Sequence, residues 1–164
     1  MKVTFIRPNM FDDRLTSAMQ VLSFAILKGL TPPDVETVLY DERLERVPYD
    51  EQTDLVAMTV ETFTARRAYQ IADEYRRRGI PVVMGGFHPS MMPQEAALFA
   101  DAVVIGDAEG VWPQIVEDAR RGTLKPVYRS REFLPMAGLR VDRSIFAGKE
   151  YAPIALVQWG RGCR

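Results

Sequence analysis

The pattern of hydrophobic and polar positions changes from segment to segment along the chain. Some segments have the pattern typical of strands, and the segments between them have the spacing typical of helices. Short apolar runs predict five strands, in KVTFIRP, DVETVLYD, TDLVAMTV, IPVVMGG and DAVVIGD. Segments with apolar positions at helical spacing follow, in SAMQVLSFAILKGL, TARRAYQIADEYRRRG, PQEAALFA and GVWPQIVEDARRG. Because strands and helices alternate with short loops, the pattern predicts an α/β fold. We expect a doubly wound parallel five-stranded sheet, a flavodoxin-like Rossmann variant in the order 2-1-3-4-5.

The periodic pattern ends near Thr123, and this change predicts the domain organisation. Residues 1–125 are predicted to form the Rossmann-like domain. Residues 126–150 contain prolines and glycines without a sustained period, which is typical of a linker. The last segment, 151–164, contains the apolar run IALVQWG and predicts a strand that belongs to a further domain.

Charge and cysteine content narrow the possible functions. The chain has 21 basic and 22 acidic residues, which argues against a nucleic-acid or anionic-membrane partner. Its single cysteine cannot form an intramolecular disulfide, and no apolar run approaches the about 18 residues that span a bilayer. We therefore expect a cytoplasmic protein that is neither exported nor inserted in a membrane.

Candidate chemistry lies in the loops that follow the strands, because ligands of open parallel sheets bind beyond the carboxyl ends. Gly85 and Gly86 let a ligand or a neighbouring backbone come close, or alternatively form a tight turn without a ligand. Thr59 is suited to contact a polar ligand. Thr62 and Thr64 are suited either to contact such a ligand or to cap the next helix.

Other motifs exclude several classes of site. Asp12 and Asp13 are a candidate metal pair or, alternatively, caps at the positive end of a helix dipole. His88 is the only histidine, so a histidine-pair metal site or a Ser-His-Asp triad would have to include it. The sequence has no Walker loop, no HExxH and no glycine fingerprint of dinucleotide folds in its first loop. A receiver domain is also disfavoured, because Thr59 stands where its phosphorylated aspartate would be.

Taken together, the segment 54–128 resembles the N-terminal cobalamin-binding domain of cobalamin-dependent radical SAM proteins. In that family a hydroxyl residue ends strand three, a Gly-Gly-x-His-Pro-Ser/Thr loop follows strand four, and a Gly-Glu/Asp-x-Glu loop follows strand five. The matching positions are Thr59, Gly85, Gly86, His88, Pro89, Ser90, Gly106, Asp107 and Glu109. The resemblance implies cobalamin as the cofactor, with its nucleotide tail withdrawn from cobalt and buried at the carboxyl edge of the sheet.

The resemblance also extends the predicted cofactor site to neighbouring loop residues, which are Pro8, Asn9, Met10, Val60 and Glu61. The corrin ring is expected to rest on apolar loop tips, whose residues are alternatively core or an interface: Met10, Phe87, Met91 and Met92. Better-known cobalamin modules supply a cobalt-ligating histidine from a D-x-H-x-x-G loop after strand one, and RPNMFDDRLTSAM lacks it. The resemblance implies that His88 contacts the nucleotide tail rather than cobalt.

The end of the sequence resembles the start of a cluster motif. Arg161–Cys163 reads Arg-Gly-Cys, as at the first cysteine of the family's CxxxCxxC, whose three thiolates hold a four-iron four-sulfur cluster. Cys163 is thus a candidate metal ligand, with cluster and SAM expected only in a full-length parent that has a C-terminal radical SAM domain. Trp159 departs from the family, which more often has a small or polar residue there.

The resemblance implies a cobalamin-binding module that is itself not catalytic, from a parent methyltransferase or related radical enzyme. An alternative is a structural or interaction domain of the same fold that does not retain cofactor when isolated. A small-molecule hydrolase or phosphatase is a third hypothesis, but the loops lack a nucleophile and base pair.

Overall fold

A computed structural model describes residues 1–10, 18–130, 135 and 137–160 of the 164 residues. The strands in these residues are β1 (Lys2–Arg7), β2 (Glu36–Asp41), β3 (Leu55–Thr59), β4 (Val82–Gly85), β5 (Ala102–Ile105) and β6 (Val127–Arg129). The α-helices are α1 (Leu22–Leu30), α2 (Ala65–Arg77), α3 (Phe87–Met91), α4 (Pro93–Ala96) and α5 (Trp112–Arg120). Single 3₁₀ turns lie at Thr62–Thr64, Ala108–Gly110 and Arg143–Phe146.

The strands form one parallel sheet in the order β2-β1-β3-β4-β5-β6. The predicted fold and the order 2-1-3-4-5 are therefore confirmed. The predicted count of five strands is wrong, because the described residues contain a sixth. β6 pairs with β5 through Val103 and Val127 and lies inside the segment 126–150 that the sequence pattern predicts as a linker. Its three residues, Val-Tyr-Arg, bury only Tyr128, so no apolar run marks the strand.

Successive side chains of each strand point to opposite faces of the sheet, so the core consists of two layers, one on each face. Phe5 packs with α1 and α5 on the first face, in a cluster that also contains Trp112 and Ile115. Ile6, the next residue, packs on the second face with the apolar side of α2, including Ile71. The sheet is therefore covered on both faces, as a doubly wound fold requires.

Residues after β6 return to the domain rather than leaving it. Ile145 and Phe146 are buried in the first-face cluster, and the Asp142 amide donates to the Ala25 carbonyl of α1 at 2.8 Å. Tyr151 reaches the carboxyl end of β2, where its hydroxyl donates to Asp41 at 3.0 Å. The division into a domain, a linker and a further segment stays a prediction.

Residues 151–160 pair with none of the strands of the described sheet. The strand of a further domain expected within 151–164 stays a prediction. Two large apolar side chains near the end of this segment are exposed: Val157 is 82% exposed and Trp159 is 97% exposed. None of the helices in the described residues is both long and apolar enough to cross a bilayer.

Candidate functional site

A cavity of about 160 Å³ opens at the carboxyl edge of the sheet, on the face covered by α1 and α5. Its walls come from the ends of four neighbouring strands and from the two helices. The lining residues are Phe5, Ser23, Phe24, Leu27, Ala57, Met58, Thr59, Val83, Gly85, Gly86, Val104, Gly106, Asp107, Ala108, Glu109 and Trp112. Parallel α/β sheets bind ligands at this edge, so the cavity lies where the topology predicts a site.

Backbone hydrogen bonds fix the loops after β3 and β4 against each other. The Val60 amide donates to the Gly85 carbonyl at 2.8 Å, and the His88 amide donates to the Val60 carbonyl at 3.0 Å. These two hydrogen bonds join the two loops along one side of the cavity.

Gly86 makes this close approach possible. Its φ of 107° and ψ of −167° lie in a region that only glycine populates. A Cβ atom at this position would lie 2.9 Å from the Val60 amide nitrogen and 3.0 Å from the Thr59 hydroxyl oxygen. The second glycine of the pair is therefore required by the backbone itself.

Ser90 joins the loop after β4 to the loop after β5. Its hydroxyl donates to the Gly86 carbonyl at 2.8 Å and accepts from the Gly106 amide at 3.1 Å. Gly106 has a φ of 83°, which again favours glycine. Ser90 thus serves the architecture of the cavity and is not one of its lining residues.

The base of the cavity is aromatic. Phe5 lies 5.5 Å from Phe24 and 5.4 Å from Trp112 between ring centroids, and all three side chains are buried. The Trp112 indole donates to the Thr31 hydroxyl at 2.9 Å, and that hydroxyl donates to the Leu27 carbonyl at 2.7 Å. The cavity therefore has an apolar, rigid base beneath a more polar mouth.

His88 lies on the other face of the sheet. Its Nε2 is 2.8 Å from the Tyr69 hydroxyl, which donates to Glu95 at 3.0 Å. Burial, reinforced by the bond to Glu95, raises the pKa of Tyr69, so the phenol keeps its proton. Which atom donates in the bond between Tyr69 and His88 depends on the tautomer of the imidazole, whose other ring nitrogen is Nδ1. Within the described residues this buried Nδ1 has no hydrogen-bond partner.

Six of the residues predicted to hold a cofactor line the cavity together: Thr59, Gly85, Gly86, Gly106, Asp107 and Glu109. The remaining predicted residues lie outside its lining, namely Pro8, Asn9, Met10, Val60, Glu61, His88, Pro89 and Ser90. His88 and Ser90 hold loops in place, as described above. Their predicted contacts with a cofactor stay predictions.

Thr64 occupies the N-cap position of α2, but its side chain makes no capping bond to that helix and belongs to the capping box of the 3₁₀ turn Thr62–Thr64. Its hydroxyl accepts from the Glu61 amide at 3.1 Å and donates to the Glu61 carbonyl at 3.0 Å. Asp12, Asp13 and Cys163 lie outside the described residues. Within the part of the chain that the structure describes, no three acidic, histidine or cysteine side chains gather as metal ligands would.

Apolar side chains that follow the carboxyl ends of β1 and β4 in the sequence are exposed. Met10 is 46% exposed, Phe87 60%, Met91 63% and Met92 48%. Of the interpretations left open for these residues, a place in the core is therefore wrong. Exposed apolar loop tips are typical of a surface that another molecule covers.

A buried charge cluster holds the carboxyl ends of β1 and β2 together. The Asp41 carboxylate is fully buried and accepts from Arg7 and from the Tyr151 hydroxyl, each at 3.0 Å. Arg43 lies beside the pair; desolvation, and then the charge of Arg7, lowers the pKa of its guanidinium. Burial also raises the pKa of Tyr151, which therefore remains a donor.

Sequence reasoning missed the apolar lining of the cavity, above all Phe24, Ala57 and Trp112. The signal for Ala57 was available, because residues at odd positions of β3 share one face and Thr59 follows it two residues later. The sequence places Trp112 only in a helix, and its position in the cavity depends on how α5 packs.

Comparisons with known proteins identify the family and several relatives of this chain. The model of the B12 binding domain family matches residues 25–116. Two curated relatives come from Chlorobaculum tepidum. Bacteriochlorophyllide d C-8(2)-methyltransferase is 39% identical over 79% of this chain and 29% of its own length. Bacteriochlorophyllide d C-12(1)-methyltransferase is 31% identical over 87% of this chain and 33% of its own length. The chain therefore spans about a third of these relatives.

Two solved structures share the fold. The radical S-adenosylmethionine methyltransferase TsrM from Kitasatospora setae matches with a TM-score of 0.59 at 20% identity, over 74% of this chain and 26% of its own. OxsB, a cobalamin-dependent S-adenosylmethionine radical enzyme with aqua-cobalamin bound, matches with a TM-score of 0.59 at 17% identity, over 76% and 19%. The family match covers more than half of the sequence and includes the strand ends that line the cavity. The chain therefore belongs to the B12 binding domain family.

Proposed function

We propose that this cobalamin-binding module holds the nucleotide tail of cobalamin in the cavity at the carboxyl edge of its sheet. The observation that carries the proposal is the cavity itself, since strand-end residues expected from the family resemblance line it together, including Thr59, Gly85 and Gly106. The corrin ring would lie outside, against the exposed apolar side chains of Phe87, Met91 and their neighbours.

The residues present fit such a group. The Cβ of an alanine at Gly86 would collide with Val60 and Thr59, so glycine keeps that backbone at the edge of the cavity. At Gly85 a Cβ would lie 3.5 Å from the Val104 side chain, so the absent side chain leaves space next to a second lining residue. Pockets for small molecules are mostly apolar with a few polar groups that fix orientation, and Thr59 and Asp107 are in that position here.

We further propose that cobalt receives no histidine from this chain. The sequence has one histidine, and His88 is 5% exposed with its Nε2 bound to Tyr69. When cobalamin is bound, it would supply the cobalt centre for the reaction, and the residues of this chain would bind and orient it.

The proposed parent is a longer radical SAM methyltransferase or related radical enzyme. Support comes from the methyltransferase activity for which both relatives are named and from the Arg-Gly-Cys sequence that ends in Cys163. A four-iron four-sulfur cluster, SAM, a C-terminal radical SAM domain and a cytoplasmic location belong to this proposal. The exposed residues Val157 and Trp159 would then be covered by that further domain.

The test is retention of a corrinoid by the full chain. After incubation with hydroxocobalamin and desalting, we expect about one equivalent of corrinoid absorbance to remain with the protein. A folded protein that retains none would refute the proposal and favour a structural or interaction domain.

Two matched variants locate the site. Thr59→Val removes a hydroxyl from the cavity with little change in shape, and we expect about 2- to 10-fold weaker binding, the worth of one hydrogen bond. Thr37→Val makes the same change on β2, away from the cavity, where the hydroxyl is buried without a partner in the described residues. Equal affinities of both variants and the wild type would contradict a tail at the end of β3.

A further inference from the structure

Residues 139–152 pack along α1, and we call this segment the strap. The Asp142 amide donates to the Ala25 carbonyl of α1 at 2.8 Å. A Cβ atom at Gly29 of α1 would lie 2.0 Å from the Arg140 carbonyl oxygen and 2.8 Å from its carbonyl carbon. Contact this close is possible only because glycine has no side chain, so the strap and α1 touch backbone to backbone.

The other end of the strap holds residues near the carboxyl ends of the first two strands. The Tyr151 hydroxyl donates to Asp41 of β2 at 3.0 Å. The Ala152 amide donates at 2.9 Å to the carbonyl of Ala18, which lies shortly before the start of α1. Beyond the strap the chain continues into the exposed apolar segment that contains Trp159. The strap therefore links this segment to α1.

Few buried side chains hold the strap in place. Within it only Ile145 and Phe146 are buried, and it adds no strand to the described sheet. Segments with few buried apolar contacts open at a lower free energy than the core beside them. The Phe146 ring packs edge-on against Tyr151, with ring centroids 5.4 Å apart, so the middle of the strap and its far end are joined. We therefore expect the strap to open as one unit.

The helix that the strap holds is also a wall of the cavity. Phe24 and Leu27 of α1 are among the lining residues. Thr31, directly after α1, accepts a hydrogen bond from the Trp112 indole at 2.9 Å. Trp112 lines the cavity as well and is only 1% exposed. A change in the position of α1 therefore changes both the wall and the access of solvent to this indole.

We infer that the strap is a conformational switch, which couples the exposed segment after it to the α1 wall of the cavity. While the strap is seated, it holds α1 against the sheet. When the strap detaches, α1 loosens and Trp112 becomes accessible. A molecule that binds the segment around Trp159 shifts this equilibrium by the difference in its affinity for the two positions of the strap. The coupling needs no cofactor, so it holds whether or not the module binds cobalamin.

Gly29→Ala displaces the strap, because the new Cβ would overlap the Arg140 carbonyl. Alanine itself favours the helix, so a looser α1 does not follow from helix propensity. Hydrogen exchange of the full chain, measured by mass spectrometry, follows each peptide. We expect at least about tenfold faster exchange at both ends of the strap, about threefold or more in α1, and no change in β3. Gly160→Ala, where no atom lies within 4 Å of the Cβ position, is the matched control and should change none of these.

A second variant loosens the strap at its far end without touching α1. Tyr151→Phe removes the hydrogen bond to β2 and should speed exchange in the strap and in α1 by about 2- to 10-fold, the worth of one hydrogen bond. Tyr128→Phe removes a buried hydroxyl on β6 and is its control. In a Trp159→Phe background Trp112 is the only tryptophan, so acrylamide quenching of its fluorescence measures access to the cavity. Quenching should rise with Tyr151→Phe and stay unchanged with Tyr128→Phe.

Each remaining outcome contradicts a stated part of the inference. Faster exchange in Gly29→Ala at residues 139–142 alone, with the far end unchanged, refutes the strap as one unit. Faster exchange throughout the strap with α1 and Trp112 quenching unchanged refutes the coupling. An equal effect of Tyr128→Phe attributes the change to global stability and also refutes the coupling. If Gly29→Ala does not fold by circular dichroism, Tyr151→Phe decides through the same two measurements.

Discussion

Replacement of Gly86 by alanine tests how the cavity wall is built. Two effects at this position lower the free energy of unfolding of the variant. The backbone angles, φ 107° and ψ −167°, strain any residue other than glycine by about 1 to 3 kcal/mol. The new Cβ would also lie 2.9 Å from the Val60 amide nitrogen and 3.0 Å from the Val60 carbonyl oxygen. Crowding of this kind costs about another 1 to 3 kcal/mol, so we expect a total loss of at least about 2 kcal/mol.

The Val60 backbone cannot move away cheaply to relieve this contact. Its amide is bound to the Gly85 carbonyl and its carbonyl accepts from the His88 amide, at 2.8 and 3.0 Å. Relief would break one of these bonds, and each is worth about 1 kcal/mol. Gly86→Ala should therefore also reduce retention of cobalamin, because the displaced wall carries Thr59.

Two other glycines supply the controls. Gly79 has a φ of 76°, and no atom lies within 4 Å of the place that a Cβ would occupy, so Gly79→Ala introduces strain without crowding. Gly85 has no positive φ, and its Cβ would make an ordinary contact of 3.5 Å with Val104, so Gly85→Ala introduces contact without strain. We expect a loss of about 1 to 2 kcal/mol for Gly79→Ala and little change or a small gain for Gly85→Ala.

Urea unfolding followed by circular dichroism measures all three variants on one scale. The expected order of destabilisation is Gly86→Ala, then Gly79→Ala, then Gly85→Ala. A Gly86→Ala protein no less stable than Gly79→Ala would refute the reasoning, because the contact with Val60 would then cost nothing.

Two further predictions concern buried polar groups. Asp41→Asn removes a fully buried carboxylate and leaves Arg7, whose side chain is 16% exposed, without this charge partner; it should cost about 3 to 5 kcal/mol in urea unfolding. Tyr151→Phe removes one bond to the same carboxylate and should cost about 1 to 3 kcal/mol, so equal costs would contradict the charge argument. Burial raises the pKa of Tyr128 to about 12, so the stability it contributes is complete below about pH 10 and is lost as the pH rises through about 12. The difference in unfolding free energy between wild type and Tyr128→Phe should therefore shrink from about pH 10 to about pH 12, and a constant difference would contradict this pKa.

The fold could be predicted because the hydrophobic pattern of a strand followed by a helix occurs several times along the chain. Each long strand is an apolar run, and each crossover helix has its own amphipathic period, so errors at single residues do not change the topology. β6 escaped prediction because a three-residue strand with one buried side chain has no period to detect. The packing of Ile145 and Phe146 in the core was not predicted for a related reason. Two neighbouring apolar residues in an aperiodic segment do not indicate which distant residues they contact.

The strand-end residues of the site could be predicted from the topology, whereas the aromatic base of the cavity could not. Strand-end residues such as Thr59 and Gly106 were predictable, because all parallel strands end at the same edge. The base of the cavity needs the packing of α1 and α5 against the sheet, and the sequence period of a helix indicates only that Phe24 and Trp112 are buried. His88 shows the converse, since it belongs to the predicted loop and yet its side chain packs against α2 on the opposite face.

The Gly-Gly-x-His-Pro-Ser motif can be explained largely by the protein's own backbone. Gly86 has no side chain to collide with the Val60 backbone, and the His88 side chain forms a hydrogen bond with Tyr69 of α2. The Ser90 hydroxyl forms hydrogen bonds with the Gly86 carbonyl and the Gly106 amide. Each of these contacts joins two parts of the protein itself, so the motif shapes the wall of the cavity. The residues that identify the motif in a sequence are therefore mainly those that shape the cavity, while Thr59 and the aromatic base are the ones left to contact what enters it.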